Sequence, residues 1–192
     1  MVATDDLITR LGEGVRAAAE RERRTLVSVT APVKVDDPCA AVFASRLASD
    51  RWFCWEQPDR EFALAGLGVA HEAASRGEGR FDDVAHECLK TGRDAILDEP
   101  AGLPAGAGPV WVGGFAFDPG GGASSTWSSF SPGSMSLPEL SLCRSGGETF
   151  FTLNALVGPG DDTAARSAAL AARLSGLRAD QLPLLDPHPT SR

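Results

Sequence analysis

The side chains able to carry chemistry in this chain are few. They are Lys34 and Lys90, the histidines His71, His86 and His188, the cysteines Cys39, Cys54, Cys88 and Cys143, and 26 acidic residues. A nucleophile–base pair needs a serine or cysteine within reach of a histidine, but no G-x-S-x-G surrounds any serine. His188 sits in a proline-containing tail, and His71 and His86 flank a Gly/Glu/Arg segment, so all three read as structural or surface histidines. His71-Glu72 does not open an HExxH zinc motif, because position 75 is serine. The cysteines lie 15, 34 and 55 residues apart without a CxxC or CxxH pair, which predicts free, buried or half-buried thiols. Gly66-Leu67-Gly68 starts a GxGxxG, but His71 occupies the third glycine position and the glycines fall inside a strand, which excludes dinucleotide binding. Neither lysine follows a phosphate-cradling glycine loop. The acidic pairs Asp5/Asp6, Asp36/Asp37, Asp82/Asp83 and Asp161/Asp162 each precede a helical pattern and read as caps and dipole partners. No catalytic, cofactor-binding or metal-binding residue is assigned.

The totals narrow the classes further. The chain has 192 residues and a formal net charge of −8, with a pI near 4.9. That balance excludes a general nucleic-acid binder, which needs a basic face to displace counterions. The densest basic run, Arg21, Arg23 and Arg24, reads as a solvated helix end. No stretch reaches the roughly 18 apolar residues of a membrane span, and MVATDDLITRLGEG lacks the basic start and apolar core of a signal peptide. The expectation is therefore no membrane partner, no nucleic acid and a cytoplasmic location.

The elements that position these residues follow from periodicity. Residues 4–24 read as an amphipathic helix capped by Thr4 or Asp5, and 25–33 as a strand ending at Pro32. Asp36-Asp37-Pro38 opens a helix to about Ala48. Residues 51–56 and 61–70 form a hairpin around Pro58-Asp59, with Gly66 and Gly68 marking a bulge or a close backbone approach. Residues 81–97 read as a helix, and 98–108 as a flexible connection. Residues 109–117 are apolar on both faces and predict a central, covered strand. After a Gly/Ser/Pro-rich loop over 118–136, residues 137–144 and 148–157 form a second hairpin, and 161–177 an alanine-rich helix. The order predicts an α/β, α+β-like fold in which a largely antiparallel sheet is layered with helices.

Four segments in this order resemble one family. Trp52-Phe53-Cys54-Trp55-Glu56-Gln57-Pro58 followed by Leu64-Ala65-Gly66-Leu67-Gly68-Val69-Ala70 resembles the F-x-W-E-x-P … AGLGxA hairpin of the isochorismate synthases, within the chorismate-utilising enzymes. Val112-Gly113-Gly114-Phe115-Ala116-Phe117-Asp118 is similar to that family's GGFAFD strand. Trp127, Phe130 and Leu137-Pro138-Glu139-Leu140 ahead of Arg144 resemble the passage that follows it, and Thr152-Leu153-Asn154-Ala155 the closing strand.

The resemblance implies the fold of anthranilate synthase component I and an isomerase that converts chorismate to isochorismate with Mg²⁺, for menaquinone, siderophore or salicylate synthesis. It further implies that a lysine and several glutamates in a carboxy-terminal half, beyond Arg192, supply the general base, general acid and Mg²⁺ ligands. Neither Lys34 nor Lys90 stands in the family's base motif, so no catalytic residue is carried over and the chain alone is expected to be inactive. Its divisions read as a helix over 1–24, the amino-terminal region of the enzyme over 25–177, and a tail or linker over 178–192 to the missing catalytic half. Another chorismate enzyme (anthranilate or aminodeoxychorismate synthase component I) and a stand-alone binding module are the alternatives. The resembling aromatics Trp52, Trp55, Phe62, Trp111, Phe115 and Phe117 are expected in the core, where truncating a buried Trp111 would cost about 3–5 kcal/mol.

Overall fold

A computed structural model describes residues 4–121 and 125–178, with the side chains of residues 4–6 left aside. The candidate caps Thr4 and Asp5, the acid Asp6, and His188 with most of the 178–192 tail therefore lie outside the described side chains.

The chain opens with helix α1 (Thr4–Arg21), then strand β1 (Thr25–Pro32) and helix α2 (Pro38–Ser45). Hairpin β2 (Trp52–Gln57) and β3 (Phe62–Leu67) turns through a short 3-10 segment at Pro58–Arg60. Next come β4 (His71–Ser75), α3 (Arg80–Arg93), β5 (Ile96–Asp98), β6 (Val112–Phe115) and β7 (Gly133–Leu137). Hairpin β8 (Leu140–Ser145) and β9 (Glu148–Val157) and helix α4 (Thr163–Ser175) complete it.

Two sheets form. The larger has the order β2-β3-β8-β9-β1-β5 and is antiparallel apart from the short β1–β5 pair. The smaller has the order β4-β7-β6. Strand residues alternate between faces, and this sorts the core into two clusters. Val27 and Val29 join Ala155, Val157, Phe151, Leu7, Leu11, Val42 and Leu170, so α1, α2 and α4 share one face of the large sheet. Leu26 and Leu156 point the other way and pack with Leu137, Ala70 and Trp111, beneath the small sheet. The fold class is thus the predicted one, an α+β layering with a largely antiparallel sheet.

Caps account for the helix boundaries. Asp37 accepts from the Ala40 N–H at 2.9 Å, with Pro38 in the first helical position. Asp162 accepts from both Ala164 and Ala165 N–H at 3.0 Å. These are the amide groups a helix start leaves unpaired. Asp82 and Asp83 lie in the first turn of α3, where their charge suits the dipole.

Four expectations need correction. The 81–97 helix stops at Arg93, and Ile96 enters β5, paired in parallel with Val27; three residues beside β1 gain strand hydrogen bonds that another helical turn could not supply. The second strand of the hairpin ends at Leu67, because Gly68 takes φ +68°, a left-handed value that breaks a strand. The chain then crosses to the small sheet as β4. Residues 133–136 of the predicted loop, together with Leu137, form β7, and the predicted 137–144 strand is broken at Pro138-Glu139, where the chain returns to the large sheet. The crossings lie side by side, with Ala70 N–H donating to Leu137 O at 2.8 Å and Glu139 N–H to Leu67 O at 3.1 Å. The strand within 109–117 is neither central nor covered: β6 is an edge strand, and Gly113, Gly114 and Phe115 are exposed.

Candidate functional site

A concavity of about 1090 Å³ opens between the β2–β3 hairpin and the β6–β7 side of the small sheet. Its walls are built by β2, by residues 110–116, by β7 and by the segment carrying Trp127 and Phe130. Trp52, Trp55, Trp111, Phe115, Trp127 and Phe130 all line it. Trp55 is 55% exposed, Phe130 63%, and Phe117 fully exposed at 104%. The expectation that these aromatics form the core is overturned: Trp52, Trp55, Phe115 and Phe117 are exposed, and Phe62 and Trp111 only half-buried. Neither β2 nor β6 has a buried residue, and an apolar period alone does not say whether a strand is covered.

Local contacts fix several of these rings. Phe115 stacks on Phe81 of α3 with centroids 4.5 Å apart, which also explains why Phe81 is not in the core. Trp52 meets Phe43 edge-on at 5.6 Å, and Trp111 meets His71 at 5.7 Å. Edge-to-face geometry lets a positive ring edge meet a negative face. Of the two β6 glycines only one lies against a neighbouring strand. A Cβ on Gly113 would stand 2.0 Å from the Ser134 carbonyl oxygen, whereas one on Gly114 would meet nothing within 4 Å.

The resembling motifs therefore divide into two jobs. Leu137, Leu140 and Asn154 are internal: the Asn154 side-chain N–H donates to the Pro138 carbonyl at 2.9 Å and its backbone N–H to Glu139 O at 2.8 Å, pinning the second crossing. The tryptophans and phenylalanines of the other motifs present the open apolar face.

The titratable residues are scattered around this face and do not converge on it. His71 belongs to β4 and is half-buried, 3.4 Å from Glu87 of α3; His86 is exposed on α3. Lys90 pairs with Glu87 at 3.3 Å, and Lys34 is exposed elsewhere. Arg51, on the rim, grips Glu72 through two bonds of 2.8 and 3.1 Å, and that guanidinium holds the Glu72 carboxyl below its usual range. Arg80, whose side chain is buried in α3, donates to Ala116 O at 3.0 Å and Phe117 O at 3.3 Å, fixing the end of the GGFAFD segment. Arg21 and Arg23 engage Asp94, as a solvated helix end should. Among the described residues no three His, Cys, Asp or Glu side chains stand together as a group able to hold a metal ion. No described helix is long and apolar enough to cross a membrane.

One association was not legible in the sequence. Cys39 and Cys54 come together across α2 and β2, with the Cys54 thiol donating to the Cys39 carbonyl at 3.5 Å. Cys88 is half-buried and Cys143 buried; burial pushes the Cys143 thiol up to about 11.

The chorismate-binding enzyme family model matches residues 13–191, and the chain belongs to that family. It is 28% identical over 153 residues to the isochorismate synthase MenF of Bacillus subtilis, a match covering 77% of this chain and 32% of the relative. It is 29% identical over 157 residues to the salicylate biosynthesis isochorismate synthase of Pseudomonas aeruginosa, covering 82% of this chain and 31% of the relative. The solved menaquinone-specific isochorismate synthase of Escherichia coli superposes with a TM-score of 0.49 at 18% identity, over 91% of this chain and 36% of that one. The chain thus spans about a third of the length of the relatives it matches.

Proposed function

We propose that this chain is the amino-terminal scaffold of an isochorismate synthase and that its aromatic face receives the catalytic half. The observation carrying this reading is the exposure of Trp52, Trp55, Phe115, Trp127 and Phe130 around one concavity. Monomeric surfaces rarely leave so large an apolar patch in water, and such patches mark interaction sites. The relatives, about three times longer, supply the occupant: the two-thirds of an isochorismate synthase that this chain does not match.

On this reading residues 25–177 form the amino-terminal region, the 1–24 helix precedes it, and 178–192 lead toward the catalytic half. The substrate chorismate, Mg²⁺ and every group that moves a proton belong to that half. None of this chain's residues is assigned a step in the isomerisation. Its contribution is to exclude water from the joint and hold the catalytic half in place. A cytoplasmic setting and supply of isochorismate to menaquinone, siderophore or salicylate synthesis are part of the same reading.

The test is an isochorismate-formation assay with chorismate and Mg²⁺. The chain alone should give no turnover. Fusion to, or mixing with, the remaining two-thirds of the Bacillus subtilis relative should give turnover, and mixing a stable complex on gel filtration. Turnover by the chain alone would overturn the scaffold assignment.

A further inference from the structure

Cys39 and Cys54 are 15 residues apart in the chain, yet rigid elements bring their side chains together. Cys39 lies in the first turn of α2, whose start is fixed by the Asp37 cap and Pro38. Cys54 is in the middle of β2, locked in register opposite Ala65. The Cys54 thiol donates to the Cys39 carbonyl oxygen at 3.5 Å, which sets the two residues against each other where α2 packs on β2. Cys54 is exposed and Cys39 half-buried, so a small oxidant has access from the side of Cys54.

We propose that Cys39 and Cys54 form a reversible thiol–disulfide site, closed by a hydroperoxide and opened by a dithiol reductant. In the first step the Cys54 thiolate attacks the terminal peroxide oxygen. The O–O bond breaks, the sulfur becomes a sulfenic acid, and the displaced alkoxide or hydroxide takes the proton Cys54 released. In the second step the Cys39 sulfur attacks the Cys54 sulfur, the S–O bond breaks, and hydroxide leaves as water with the Cys39 proton. Two thiols are oxidised by two electrons, and the hydroperoxide is reduced to an alcohol (or water) and water.

The roles follow from the surroundings. Interaction with the Cys39 side chain holds Cys54 below its ordinary value, against burial and against Glu56 and Asp37; Arg46 adds to the lowering. The same interaction, with burial, pushes Cys39 up. Cys54 is thus the attacking thiol and Cys39 the resolving one. The bridge would clip α2 to β2, on the strand face that carries Trp52 against Phe43 of α2.

The test treats the full chain with hydrogen peroxide, quenches in acid, alkylates under denaturing conditions and maps the peptides. Alkylatable thiols should fall from the four of the sequence to two, with a Cys39–Cys54 cross-linked peptide that dithiothreitol abolishes. Cys39→Ser should instead yield a Cys54 sulfenic acid trapped by dimedone, and Cys54→Ser should leave the remaining three thiols unoxidised at the same dose. Four surviving thiols in the parent chain, a Cys54 sulfinic acid beside an intact Cys39 thiol, or bridges to Cys88 or Cys143 would overturn the proposal.

Discussion

Gly66 on β3 lies directly opposite Phe53 on β2, and a methyl group on Gly66 would stand 2.3 Å from the Phe53 ring and 3.0 Å from the Pro138 ring. The phenyl ring occupies the space a side chain would take, next to the chain crossing between the sheets. Gly66→Ala should therefore overpack this site and cost about 1–3 kcal/mol. A lower urea midpoint at unchanged slope is the expected reading. Gly114→Ala, with nothing within 4 Å, should move stability by no more than about 0.5 kcal/mol. Equal midpoints for the two variants would count against the close approach.

Asp50 ties α4 to the segment after α2. Its carboxylate accepts from the Arg173 guanidinium at 2.6 Å and from the Leu47 N–H at 2.7 Å, and both partners of the ion pair are mostly buried. Burial pushes the Asp50 pKa up, but the Arg173 hydrogen bond, the Leu47 N–H and the guanidinium charge outweigh it, and the net direction is down from 3.8. A carboxyl depressed in the folded state binds fewer protons than in the unfolded one. Its stabilisation is present above the unfolded value and is lost as pH falls through the folded value. Asp50→Asn should cost about 1.5–3 kcal/mol at neutral pH and flatten the acid limb of the stability curve; an unchanged acid limb would refute the assignment.

Cys143 gives the opposite signature at high pH. Its thiol is buried on β8 and its pKa is raised from 9.0 to about 11 by burial. Between those values the folded state holds a proton that the unfolded state has released, so stability is complete below pH 9 and falls as pH rises toward 11. The chain has no tyrosine and two lysines, but Cys39 and Cys88 are raised as well, so the Cys143 share is read as the difference between variant and parent. Cys143→Ala should reduce the loss of denaturation midpoint between pH 8.5 and about 11. An identical alkaline decline in the variant would show that other groups carry it.

Periodicity and caps made the helices and hairpins legible: Asp37-Pro38 and Asp162 fix helix starts through short-range hydrogen bonds that sequence neighbours supply. What was not legible depends on distant partners. Ile96 is a strand residue because β1 is beside it, and Gly133–Leu137 is a strand because β4 and β6 flank it. The aromatic face was visible as residues but not as a surface, since an apolar strand can cover a core or await a partner. Cys39 and Cys54 meet only because α2 packs on β2, a relation that a spacing of 15 residues does not encode.

The graded exposure of the aromatics yields the sharpest separation of stability from assembly. Phe117, fully exposed, should tolerate Phe117→Ser within about 0.5 kcal/mol. Trp55, with roughly half its surface in water and one edge contact to Phe62, should lose about 1 kcal/mol as Trp55→Ser. Trp111 packs on the Leu26–Leu156 cluster but is half-buried, so Trp111→Ala should cost about 1.5–3 kcal/mol, less than a buried tryptophan would. If the face receives the catalytic half, the order reverses for association: Trp55→Ser should weaken the complex by about tenfold or more, because tryptophans desolvated at an interface centre dominate its energy. Chemical denaturation of the isolated chain and titration against the catalytic half read the two quantities separately. A Trp55→Ser variant that binds as tightly as the parent chain would place the docking surface elsewhere.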